Sequence, residues 1–210
     1  MLFPFNISLG AMVVPREVYH ASRRQGLRVI RPRQSTHGRA WVYATADPVL
    51  AACFLGNRGG DFTCAVGRDP DTGKPFICER FAGAFELRYR GVRGSIYVLP
   101  GERFRAGETG WEEELVCSEP VVPRWEIQVN DAAEYLRRLE REGKLLVVRY
   151  PRKIAGIPED DEDLVRRAVV WYRRFGPLVL KELGKYHPHL VPRVREAIRM
   201  GAYREDESHL

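Results

Sequence analysis

The sequence predicts an α+β protein in which a β-rich first part, carrying one short helix, is followed by a helical C-terminal extension. Three observations carry this reading. From residue 1 to about 129, short runs of β-branched and aromatic residues are separated by turn residues. From Asn130 onward apolar residues recur at helical spacing instead. Between the second and third β-like runs, Asp47-Pro48 combines an N-cap residue with a proline at the first helical position. Residues 1–150 therefore read as one unit and 151–210 as the extension. At 210 residues the chain is long enough to bury a real core, and no run of about 18 apolar residues is present to cross a bilayer.

Taken in order, the opening MLFPFNISLGAMVVP lacks a basic start and is broken by Pro4, Asn6 and Ser8, so it reads as a first strand rather than a signal peptide. Strands are predicted over 18–20, 41–45, 62–66, 76–81, 85–89, 95–99, 115–117 and 125–129, and a short apolar helix over 49–55, stopped by Gly56. Residues 131–142 place Ala132, Tyr135, Leu136 and Leu139 on one helical face, with Gly143 as the stop. A strand over 145–149 follows. The stretch 151–163, with Pro151, Pro158 and the acidic cluster EDDED, reads as a linker. Three helices are then predicted over 164–175, 178–186 and 191–200, the first burying Leu164, Ala168, Trp171, Tyr172 and Phe175. Helices this short are marginal alone, so they are expected to dock on the β region, on a partner protein or on a second copy of the chain.

Charge is uneven. Residues 1–110 hold 16 Lys and Arg against 9 Asp and Glu, whereas 111–210 hold 18 against 19. Seven arginines fall between Arg16 and Arg39, a density that attracts phosphate through bidentate donors and that a solvated face of an Arg-rich chain also produces. The four cysteines, Cys53, Cys64, Cys78 and Cys117, form no C-x-x-C pair, so reduced, buried thiols in a cytoplasmic protein are expected. His187-Pro188-His189 offers two imidazoles with no nearby Cys partner or second ligand cluster, and no metal site is expected.

Three segments stand out chemically. Val18-Tyr19-His20-Ala21-Ser22 ends a strand on a histidine, followed by a small residue and a hydroxyl. Tyr43-Ala44-Thr45 leads into the short helix, and Phe54 lies eleven residues beyond Tyr43, so the two rings can face each other across a flat slot. Such a slot suits a planar cationic heterocycle, with stacking worth about 0.5–1.5 kcal/mol per pair and cation–π attraction of about 0.5–2 kcal/mol. Plain core packing produces the same pattern. Glu112-Glu113-Glu114 leads into Leu115-Val116-Cys117, where a strand-fixed carboxylate can stabilise developing positive charge. Alternation puts Glu112 and Glu114 on one face and Glu113 on the other.

In that order the three segments resemble the His-Tyr-Glu signature of the ADP-ribosyltransferase superfamily, in particular its diphtheria-toxin and poly-ADP-ribose-polymerase branch. The counterparts are Tyr19-His20-Ala21-Ser22, Tyr43-Ala44-Thr45 with Phe54, and Glu114-Leu115-Val116, and the resemblance covers about residues 16–130. Ala21 stands where that family usually has Gly, and Phe54 where Tyr is frequent.

The resemblance implies a split β-sandwich of two small sheets with short helices, and NAD as the substrate. Glu114, His20 and Tyr43 would be the catalytic residues. His20, Ala21, Ser22, Tyr43, Thr45, Phe54 and Arg28 would hold NAD, with nicotinamide between Tyr43 and Phe54, and no metal would be needed. The acceptor would be a protein, a nucleic acid or water. Two alternatives stand beside it: a noncatalytic nucleotide- or nucleic-acid-binding module, and an enzyme similar to the NAD-dependent RNA 2′-phosphotransferases.

Overall fold

The computed structural model describes residues 14–34, 39–56 and 58–203, so the strand predicted within the opening segment lies outside the described residues except for its last two positions. Chain order is β1 (Glu17–Ser22), β2 (Arg33–Gln34), β3 (Ala40–Ala44), α1 (Pro48–Ala52), β4 (Cys64–Arg68), β5 (Pro75–Glu79), α2 (Ala84–Tyr89), β6 (Gly94–Pro100), β7 (Arg105–Ala106), β8 (Leu115–Cys117), β9 (Trp125–Val129), α3 (Ala132–Arg141), β10 (Leu146–Val148), α4 (Glu162–Phe175), α5 (Leu178–Tyr186) and α6 (Val191–Arg199). The protein is thus mixed α+β. Among the described residues its strands form three small sheets rather than the two expected: β1-β6-β9, β10-β5-β4 and β2-β3-β8-β7. All pairings are antiparallel except β10 on β5.

The β6 run GSIYVL explains how the layers stack, because apolar residues occupy both faces of a central strand buried on both sides. Ile96 faces a cluster with Leu55, Ile77, Phe85, Tyr89 and Leu136, built from α1, α2, α3 and β5. Tyr97 and Leu99 face the opposite way, into a cluster with Val18, Val42, Leu115 and Cys117 that joins the β1-β6-β9 sheet to β3 and β8. Each fully buried side chain of this size contributes about 1.5–3 kcal/mol.

One predicted strand is a helix. Residues 85–89 form most of α2, because the buried positions are Ala84, Phe85, Arg88 and Tyr89, an i, i+3, i+4 pattern, not an alternating one. Gly83 at φ 81° turns the chain into the helix, Glu79 accepts from the Phe85 amide at 2.8 Å, and the buried Arg88 guanidinium donates to the carbonyls of Gly60 and Cys64. Five residues in which apolar and charged side chains alternate, Phe85-Glu86-Leu87-Arg88-Tyr89, do not distinguish the two periods by themselves.

The C-terminal helices enclose a third apolar cluster of Leu164, Val165, Ala168, Val169, Leu183, Leu190 and Val194, completed by Phe62 from the turn before β4. Of the stripe expected on α4, Leu164 and Ala168 are buried and Trp171 and Tyr172 half-buried, whereas Phe175 is 47% exposed and Val165 and Val169 take its place. Polar ties fasten the helices to the β region. Arg80 pairs with Asp163, Arg167 with Asp61, and the His187 ring with the Phe62 carbonyl at 2.7 Å.

Candidate functional site

β1 and β3 belong to different sheets and touch at one place. The Tyr19 amide donates to the Thr45 carbonyl at 2.8 Å and the Thr45 amide returns to Tyr19 at 3.0 Å. Beside this bridge His20 Nδ1 meets the Tyr43 carbonyl at 2.7 Å. On the other side of β3, Ala44 pairs with Leu115, which sets Glu114, the residue before β8, alongside Thr45. His20, Tyr43, Thr45 and Glu114 therefore stand on three neighbouring strands at one end, within about 10 Å across at the usual strand spacing. The structure brings the main chain at these four positions together.

The three adjacent glutamates have three different fates. Residues 112 and 113 form a turn, closed by the Glu114 amide donating to the Trp111 carbonyl at 3.0 Å, so the alternation expected of a strand does not apply. Glu113 is bound in bidentate fashion by Arg68, whose guanidinium also reaches Asp47 at 3.1 Å. That Asp47 caps α1 through the amides of Val49 and Leu50. Glu112 is exposed. Glu114 is half-buried, and burial pushes its carboxyl above the usual glutamate range while a hydrogen bond with the Thr109 side chain pulls it partly back.

Aromatic residues line the same end. Tyr43 is half-buried. Phe54 lies in the 3₁₀ turn Cys53–Leu55 that continues α1 and contacts β1; its ring is 43% exposed and edge-on to Trp111, with centroids 5.8 Å apart. Trp111, the ring against Phe54, is a residue that the sequence reading did not single out. The only signal for it was an aromatic directly before the triple-glutamate run.

Burial holds the His20 imidazole below its ordinary value, and nearby Arg33 adds to the effect against the opposing pull of the Tyr43 carbonyl. The ring is thus neutral at pH 7. Since a carbonyl only accepts, the proton resides on Nδ1 and Nε2 is left as an acceptor. Ala21 pairs in regular register with Ile96 and its methyl packs on the first core, on the face of β1 opposite His20. The Ala21 methyl therefore does not crowd the imidazole side.

Beyond Ser22, whose hydroxyl accepts from the Arg24 amide at 3.1 Å, the chain is fastened by residues that carried no motif. Tyr97, which faces His20 across the β1-β6 pair, donates to the Arg24 carbonyl at 2.7 Å and accepts from the Leu27 amide at 3.0 Å. Gln25 donates to the Gly94 carbonyl at 2.9 Å, and Glu126 accepts from the Gly26 amide at 2.9 Å. Arg28 projects from this segment and is exposed.

Other sequence features lie elsewhere. A pocket of about 300 Å³ opens between Trp41, Arg105, Val116 and Cys117 and includes none of the expected site residues. All four cysteines are free and buried. Among the described residues no three His, Cys, Asp or Glu side chains gather as a metal ion requires, and no helix is long and apolar enough to cross a membrane. Compared with protein-family models, with curated proteins and with solved structures, the chain finds no match.

Proposed function

We propose that this protein binds NAD at the His20–Tyr43–Glu114 end of the strands and transfers ADP-ribose to an acceptor with release of nicotinamide. The observation that carries the reading is the meeting of three segments, far apart in sequence, on adjacent strands through the Tyr19–Thr45 bridge and the Ala44–Leu115 pair. The sorting of the glutamates also supports it. Glu113 is committed to Arg68 and Glu112 faces water, which leaves Glu114 as the half-buried carboxylate beside Thr45.

On this reading the Nε2 lone pair of His20 accepts from a hydroxyl of the adenosine-side ribose, and main chain at Ala21 holds the carboxamide. The nicotinamide ring lies between Tyr43 and Phe54, with Trp111 backing Phe54, and Arg28 faces the pyrophosphate. As the bond from the ribose C1′ to the ring nitrogen breaks, its electron pair neutralises the pyridinium and positive charge passes to the ribose. Glu114 stabilises that charge and orients the 2′-hydroxyl. The acceptor then bonds to C1′ and loses a proton.

The test follows nicotinamide release and transfer of label from NAD marked in its adenylate half, with protein, RNA, DNA or buffer alone as acceptor. Glu114→Gln is expected to lower release by about 10²–10³-fold while NAD affinity by calorimetry is retained. A wild-type protein that binds NAD but releases no nicotinamide under any condition would leave the noncatalytic binding module as the reading.

A further inference from the structure

Between Glu17 and Asp47 the sequence contains no carboxylate, yet Arg23, Arg24, Arg28, Arg31, Arg33 and Arg39 all fall there, and the first lysine of the chain is Lys74. Ordinary solvated surfaces intersperse both signs. Arg23, Arg24, Arg28, Arg31 and Arg33 are all exposed, and none forms an ion pair with a described residue. The backbone of the first part of this stretch is held in place through Tyr97, Gln25 and Glu126. The stretch borders the candidate site, since it leaves β1 directly after His20-Ala21-Ser22 and ends in β2, where Arg33 pairs with Trp41 of β3.

Arginine alone, with no lysine, indicates an anion of fixed geometry, because the planar guanidinium matches phosphate in bidentate fashion. Five such forks exceed what the two phosphates of one NAD can engage, so a polymer of phosphates fits them better. A lipid surface is disfavoured because no large apolar side chain stands exposed between Arg23 and Arg33 to insert beside the charges. Protein partners are disfavoured for the same reason, since their interfaces centre on buried aromatic or aliphatic anchors.

We infer that residues 23–33 form a docking surface for the phosphate backbone of a nucleic acid, which lays the strand against the His20 end of the site. That the same strand accepts ADP-ribose rests on the transferase reading above; the docking does not.

Fluorescent single-stranded RNA, single-stranded DNA and duplex DNA of random sequence, titrated over a salt series by anisotropy, test the inference and decide among the three strands. Each phosphate contact contributes about −0.7 (single strand) or −0.9 (duplex) to the slope of log affinity against log salt. Changing Arg23, Arg24, Arg28 and Arg31 together to Gln is expected to weaken binding by about tenfold or more and to reduce the single-strand slope by about 3. A control with Arg141, Arg174, Arg195 and Arg199 changed to Gln removes the same charge and is expected to bind as wild type. Saturating NAD should leave the oligonucleotide bound.

The inference fails if wild type binds none of the strands, or if both quadruple variants lose affinity equally. It fails too if NAD displaces the strand completely, or if poly-glutamate or phosphatidylserine vesicles bind as tightly. Strand binding without nicotinamide release would sink the transferase reading and leave the docking surface standing.

Discussion

His20 Nδ1 donates to the main-chain oxygen of Tyr43 at 2.7 Å, so one hydrogen bond both joins two sheets and sets the tautomer of the imidazole. Because burial and Arg33 hold its titration below the ordinary histidine value, the acceptor nitrogen stays unprotonated through neutral pH. NMR titration of labelled histidine is expected to place the His20 midpoint below 6.5. Arg33→Gln is expected to move it upward, since a repelling cation is removed. A midpoint that ignores the Arg33 change would show that the guanidinium does not face the ring.

Substituting each glutamate of the triple run should separate three roles. Glu112→Gln is expected to change stability by less than about 0.5 kcal/mol. Glu113→Gln weakens the bidentate pair with Arg68, which also steadies the α1 cap through Asp47, and should cost about 1–2 kcal/mol in urea unfolding. Glu114→Gln should leave stability nearly intact or raise it, because burial already disfavours the charged carboxylate.

His187 is 2% exposed, with its Nε2 on the Phe62 carbonyl and its ring edge-on to Phe81. His187→Ala is expected to destabilise by about 2–3 kcal/mol through the lost bond and the space left behind. Burial lowers this histidine's titration, so the unfolded chain takes up its proton first as pH falls. Its effect on stability is absent above the unfolded value of 6.5 and becomes a loss as pH drops below it toward the folded value. His187→Gln, an amide that can still donate to Phe62, should flatten the melting temperature between pH 7 and pH 5 relative to wild type.

Gly94 opens β6 where a Cβ would lie 2.6 Å from the Ser22 carbonyl oxygen and 2.8 Å from a Leu55 methyl. Gly94→Ala should therefore cost about 1–3 kcal/mol and displace the chain just after His20. Thermal unfolding checks the first part. Loss of oligonucleotide binding without any change in charge checks the second.

Local chemistry was legible where one segment decides its own shape. The Asp47 cap, Pro48, the strands at 115–117 and 125–129 and the helix at 178–186 stand where periodicity and caps place them. Residues 85–89 were misread because Phe85 and Tyr89 satisfy both an alternating and a helical pattern, and the choice was made by Gly83, Glu79 and Arg88. The predicted strand at 62–66 begins two residues late because Phe62 belongs to the helical cluster. The neighbourhood of Thr45 and Glu114, the turn that separates the glutamates, and the roles of Trp111 and Tyr97 depend on strand register and loop closure, which spacing along the chain does not encode.

Phe62 stands eight positions after Phe54, yet its ring is buried in the helical cluster while Phe54 lies half exposed against Trp111. A fragment ending at residue 150 would strand that phenyl ring in water, and a fragment beginning at 151 would start with a hole where the ring belongs. Neither half inherits a finished interior. Shortening, grafting or swapping the C-terminal helices thus unpacks the turn that leads into β4.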